Sequence, residues 1–145
     1  MNVTITENPT LDDIEVAVAC PRIDERVQRI VASLGAFDRK LTGMRDGATY
    51  RLDASDVCYA ETVDGTTFLY TADAVLETSL RLYELEDRLT GTEFVRASKQ
   101  MLVNFDHVTS IRPALNAKLQ LTLDNGEAVI VSRQYASAVK RKLGL

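Results

Sequence analysis

Apolar and polar positions change rhythm several times along the chain. Residues 2–6 (NVTIT) and 14–19 (IEVAVA) are β-branched and roughly alternating, and NPTLDD turn material separates them, which predicts two short strands. Pro21 then opens a helical stretch with Asp24 as N-cap. In it Val27, Ile30, Val31 and Leu34 recur at helical spacing, and Gly35 is placed to stop it. This β-β-α piece, residues 1–42, is too small to bury a core of its own. It must pack on the rest of the chain or on a second copy.

From about Leu41 the texture is strand-rich. Thr49–Leu52, Val57–Thr62 and Thr67–Thr71 read as strands, and Asp64–Gly65 is a hairpin signal between the last two. One clear helix follows, Ser79 to about Thr90, with Leu82, Leu85 and Leu89 on one face and Gly91 as its stop. Glu77–Arg81 and Glu84–Arg88 are i,i+4 pairs in the favourable order. That leucine stripe is too short for a zipper and is read as core. Further strands are expected at Phe94–Ala97, Val108–Pro113, Lys118–Leu123 and Ala128–Ser132. Leu119, Leu121 and Leu123 alternate with polar residues, so that strand has one wet face. Asp124–Asn125–Gly126 reads as an Asn-Gly turn supplying the positive φ of a tight hairpin, and a short helix, Tyr135–Leu143, ends the chain. There is no internal repeat. The fold class is α+β, predominantly β.

Composition narrows the function classes. Of 145 residues, 46% are hydrophobic and 26% charged, a globular balance with no apolar run long enough to span a bilayer. The start, MNVTITENPT, is not built like a secretory signal, and the cytoplasm is the expected location. Cys20 and Cys58 stand alone in spacing, without a CxxC pair or a nearby histidine, so they read as buried thiols and no metal or redox motif is expected. The net charge of −4 is unevenly spread: 5 basic and 7 acidic residues in 1–42, 4 and 11 in 43–93, 8 and 3 in 94–145. The basic last third is either one face built for an anion or chance segregation.

Catalysis finds no support. His107 is the sole histidine, and Asp106 beside it cannot orient its ring. The carboxylates Asp53, Asp56, Glu61, Asp64 and Asp73 fall in turns or on surfaces without an acid–base pairing. GxGxxG, P-loop and HExxH motifs are missing. Asp12–Asp13 suggests a phosphoacceptor pocket, but 42 residues cannot hold a receiver domain. Neither an enzyme nor a cofactor is expected.

Several segments carry a resemblance. They are DVCYAE at 56–61, FLYT at 68–71, LYELEDRL at 82–89, FVRASKQMLVN at 94–104 and VSRQY at 131–135, together with the hairpin at Asn125–Gly126. In this order and spacing they are similar to the LytTR-type DNA-binding domain, over roughly residues 43–145. The resemblance implies an elongated antiparallel β-sheet domain with short helices. It implies a transcriptional regulator that reads duplex DNA through loops in successive major grooves. Carried over by position, the base-contacting arginine falls on Arg133, where a guanidinium fork suits guanine O6 and N7. A second contact falls on Lys99, with reach to guanine or phosphate. A third falls near Thr67, beside Thr66, whose side chains are short for base reading. Ser98, Gln100 and Gln134, with Arg96, flank these positions as phosphate contacts. Asn104 matches the asparagine of VN and is read as structural, bonding its own turn. Lys140–Arg141–Lys142 suit either a phosphate clamp or a helix C-terminus.

The resemblance is to the stand-alone class, with a short extension in place of a receiver. A homodimer through residues 2–6 or 14–19 is expected, at least on DNA, and a regulatory protein partner, a membrane protein included, is an alternative input. The rival function is a protein-interaction module whose basic face meets an acidic partner. A small-molecule sensor ranks last, for want of a polar constellation.

Overall fold

Two tight turns start the main sheet of the computed structural model, which describes residues 1–145. β1 (Lys40–Arg45) returns as β2 (Ala48–Asp53) through Asp46 and Gly47, at φ 52° and 78°. β3 (Val57–Val63) returns as β4 (Thr66–Thr71) through Asp64 and Gly65, at φ 50° and 80°. Both central residues of each turn sit at positive φ, the geometry that matches strand twist in a two-residue hairpin. With β5 (Val75–Thr78), β6 (Phe94–Ser98) and β7 (Met101–Asn104) they form a seven-stranded antiparallel sheet in the order β2-β1-β5-β4-β3-β7-β6. A three-stranded sheet, β10-β9-β8, is built from β8 (Val108–Pro113), β9 (Leu119–Leu123) and β10 (Ala128–Val131).

Three helices accompany these sheets, α1 (Glu25–Phe37), α2 (Leu82–Arg88) and α3 (Arg133–Lys142), of which α2 and α3 pack on strands and α1 against the short turn at 54–56. Leu82, Leu85 and Leu89 pack with Leu41, Val57, Leu69 and Leu102 in one core, as the leucine stripe requires. A second core joins the sheets: Leu119, Leu121 and Leu123 of β9 meet Cys58, Val103, Ala136 and Val139. The alternation of β9 is therefore one buried face and one wetter face. Gly43 in β1 is there for close approach, since a Cβ would stand 2.7 Å from the Leu76 Cβ of β5.

Several expectations need correction. Residues 2–6 and 14–19 form no strands; they run as exposed chain, and the piece ahead of β1 is helix without sheet. A strand needs an edge to pair with, and alternation alone does not supply one. Strand β1 spans residues 40–45, so a boundary placed between 42 and 43 falls inside it. Helix α1 does begin at Asp24, whose carboxylate accepts the Val27 N–H at 3.1 Å, but it passes through Gly35 to Phe37. Strands β1, β5 and β7 were not foreseen as elements. Because β5 takes Glu77, the Glu77–Arg81 pairing is not a helical one; α2 starts after Arg81, whose N–H donates to Glu84 at 3.0 Å. In the β9–β10 turn only Gly126 has positive φ, at 87°, so the connection is longer than a two-residue Asn-Gly turn. Cys20 is exposed, whereas Cys58 is buried.

The segment ahead of β1 is tied down at two places. Arg39 donates to the carbonyls of Arg88 and Thr90 at 2.7 and 2.6 Å, satisfying the C-terminal end of α2. Ser33 of α1 bonds the Asp106 carboxylate at 3.1 Å.

Candidate nucleic-acid interface

Two of the basic residues singled out in the sequence, Lys99 and Arg133, lie on segments joined by one backbone hydrogen bond. Strand β10 ends at Val131, and the N–H of Ser132 donates to the Ala97 carbonyl of β6 at 2.8 Å. That bond sets the first turn of α3 beside the β6–β7 turn. Arg133 and Gln134 open α3 there, both exposed, so they belong to the helix and not to a segment ahead of it. Lys99 and Gln100 are exposed in the β6–β7 turn. Neither Lys99 nor Arg133 joins an ion pair among the described residues.

The turn itself is prearranged. Ser98 Oγ accepts the Gln100 N–H at 3.2 Å, and the Gln100 carbonyl accepts the Thr62 N–H at 2.8 Å, which fixes the turn against the β3–β4 hairpin. Arg96 works from inside: its Nη1 donates to the Lys99 carbonyl at 2.7 Å and its Nε to Glu86 of α2 at 3.3 Å. Arg96 is thus spent on holding the turn and is not a free phosphate contact. Arg96→Ala is expected to speed amide exchange in residues 99–101 by roughly tenfold or more, as the loss of a charge-assisted bond worth about 1.5–3 kcal/mol requires. Unchanged exchange would show that something else holds the turn.

Thr67 is also placed differently from expectation. It lies in β4, only 4% exposed, with its hydroxyl 3.0 Å from that of Thr62. The residues at the tip of that hairpin are Val63, Asp64 and Gly65, with Thr66 half-buried behind them. An aspartate at the tip repels phosphate, so this hairpin offers a duplex much less than the other two segments do. Lys142 pairs with the buried Glu93 at 3.6 Å and caps the far end of α3, away from Arg133. Asn104 is buried, and its side chain accepts the Asp106 N–H at 3.1 Å, in line with a structural role.

The family model of the LytTr DNA-binding domain matches residues 47–144. The chain belongs to the LytTR DNA-binding family. A Staphylococcus aureus (strain NCTC 8325 / PS 47) protein described as an uncharacterized HTH-type transcriptional regulator is 26% identical over 147 residues, covering 100% of this chain and 98% of that one. The sensory transduction protein LytT of Bacillus subtilis (strain 168) is 32% identical over 92 residues, 63% of this chain and 38% of its own length. A solved LytTr DNA-binding domain from Bacillus cereus superposes with a TM-score of 0.70 at 29% identity, over 73% of this chain and 97% of that domain. The LytTR chain has no two consecutive helices: strands β1–β5 part α1 from α2, and β6–β10 part α2 from α3. No helix of the described residues is long and apolar enough to cross a membrane.

Proposed function

We propose that this LytTR chain is a cytoplasmic, sequence-specific transcriptional regulator that reads duplex DNA in the major groove through the β6–β7 turn and the first turn of α3. The observation that carries the reading is that the Ser132–Ala97 bond ties the start of α3 to β6, the strand leading into the β6–β7 turn, and that each segment carries an exposed cation, Arg133 and Lys99, in no ion pair among the described residues. Arg133 donates its fork to guanine; Lys99 meets guanine or phosphate; Ser98, Gln100 and Gln134 set register on the backbone. The N-terminus of α3 adds a positive dipole end to the same surface.

The test is selection from random duplex DNA by the full chain at about physiological salt, with affinity for the enriched site falling steeply as salt rises. An enriched motif supports the reading. A folded protein that enriches nothing overturns it in favour of the protein-interaction module.

Dimerisation through the N-terminal segment is part of the proposal. Val3, Ile5 and Ile14 are 78, 90 and 84% exposed, an apolar stretch that a second copy would cover. The full chain is expected to run as a dimer in light scattering, and the Val3→Asp, Ile5→Asp, Ile14→Asp triple variant as a monomer. Two half-sites about one helical turn, ~10 bp, apart would then appear in the selected motif. A wild-type monomer both free and on DNA removes the dimer.

A further inference from the structure

Three side chains far apart in sequence converge between the two sheets. Cys58 of β3, His107 ahead of β8 and Asp124 after β9 place one ligand-type atom each within 4.8 Å of the others. The His107 ring is held at both nitrogens: Nδ1 lies 2.7 Å from Asp124 Oδ2, and Nε2 lies 2.7 Å from the Ser55 carbonyl oxygen. Both partners are acceptors. With Nε2–H donated to the Ser55 carbonyl, Nδ1 turns its lone pair toward Asp124 and Cys58.

A proton shared between His107 and Asp124 makes no use of a sulfur beside it. A metal ion does, and an Nε2–H donated to a backbone carbonyl is the usual second-shell bond that orients a ligating histidine through its other nitrogen. We propose that Cys58, His107 and Asp124 form a binding site for a borderline-soft divalent transition metal ion, Zn²⁺ by the chemistry of the donors.

Thiolate, imidazole and carboxylate are a donor set Zn²⁺ accepts, with distances of about 2.3, 2.0 and 2.0–2.2 Å, leaving a fourth position for water. Ligand atoms around such an ion stand roughly 3.2–3.8 Å apart, so on binding the 2.7 Å Nδ1–Oδ2 pair opens and the wider separations close, by side-chain shifts of about 1 Å. Cys58 is fully buried, whereas the Asp124 side chain is 47% exposed, so the ion enters from the β9–β10 turn. Burial first, and then the carboxylates of Asp124, Glu127 and Asp56, push the Cys58 thiol up to about 11, so the ion has to displace its proton. Those same carboxylates attract the ion that displaces its proton. Bound metal would clamp β3 of the seven-stranded sheet to the β8–β9 sheet, and the site stands whether or not the DNA reading above is right.

The probe is Co²⁺, then Zn²⁺, added to the metal-free full chain carrying Cys20→Ser, so that Cys58 is the sole thiol. At micromolar metal one equivalent of Co²⁺ is expected to give a thiolate-to-metal charge-transfer absorption and tetrahedral d–d bands, all bleached by Zn²⁺. Cys58→Ser should abolish the charge-transfer band, and Asp124→Asn should weaken binding by about tenfold or more. Zn²⁺ should also raise the melting temperature. Asp124 sits on an exposed turn, so its variant keeps the fold and reports even if Cys58→Ser does not fold. The absence of a charge-transfer band, or unchanged affinity in Asp124→Asn, overturns the proposal.

Discussion

Arg133→Ala should weaken binding to the selected site by roughly 5- to 150-fold, the equivalent of about 1–3 kcal/mol, and flatten preference at one base position. The expectation rests on where the side chain starts. The Ser132–Ala97 bond fixes the first turn of α3, and the guanidinium leaves it unpaired by any carboxylate of the described residues. No internal ion pair has to be broken before it meets a base. Scrambled duplex should lose much less, since one phosphate-range charge among several is removed. Arg133→Lys separates charge from geometry: it keeps the charge but lacks the planar fork, so nonspecific affinity should persist while discrimination falls. Lys99→Ala is the control. If Lys99 meets phosphate, all sequences weaken alike and the salt slope falls by about 1. Anisotropy titrations with specific and scrambled duplexes at several salt concentrations measure all of these. Equal losses on both duplexes for Arg133→Ala would remove it from base reading.

Much of the fold was legible because its signals are local. The Leu119–Leu121–Leu123 alternation, the Leu82–Leu85–Leu89 stripe and the Asp64–Gly65 turn each reappear as the element they predict. The missed strands lack such signals. Strand β1 reads KLTGMR, with a glycine at its centre whose purpose is the approach of Leu76 from β5, 33 positions on. Strand β5 follows closely on β4, and its Glu77 imitates a helical pair with Arg81. In the opposite direction, IEVAVA has the texture of a strand but no edge within the chain to join.

The site shows the same division. Arg133 and Lys99 stand out in the sequence only through the family pattern; in the structure one opens α3 and the other lies in the β6–β7 turn, on segments linked by the Ser132–Ala97 bond. Thr67 faces inward because β4 pairs on both sides, with Thr62 and with Thr78, a consequence of register that the local sequence does not contain. Arg96 looks like any exposed arginine until the turn it holds is seen. Cys58, His107 and Asp124 are 49 and 17 positions apart in succession, with none of the short spacings by which metal ligands announce themselves.

Asn104→Ala should cost about 2–4 kcal/mol of stability, with a melting temperature lower by roughly 5–15 °C. Asn104 is fully buried and uses both ends of its amide. Nδ2 donates to the Val57 carbonyl of β3 at 3.0 Å, and Oδ1 accepts the Asp106 N–H at 3.1 Å, holding the short helical turn that leads into β8. Truncation takes a donor from a buried carbonyl, which costs about 1–3 kcal/mol, and leaves a small cavity besides. Against a total stability of about 5–15 kcal/mol for a domain, that is a large share. Asn104→Asp should be worse at neutral pH, because a carboxylate would face the Val57 carbonyl with no donor and little solvent. Urea denaturation of the three proteins gives the ranking. DNA affinity, measured where each variant is still folded, should change little, since Asn104 lies in the core and not on the surface formed by Lys99 and Arg133. A variant of unaltered stability that nonetheless lost DNA binding would move Asn104 from the core of the fold into the reading of DNA.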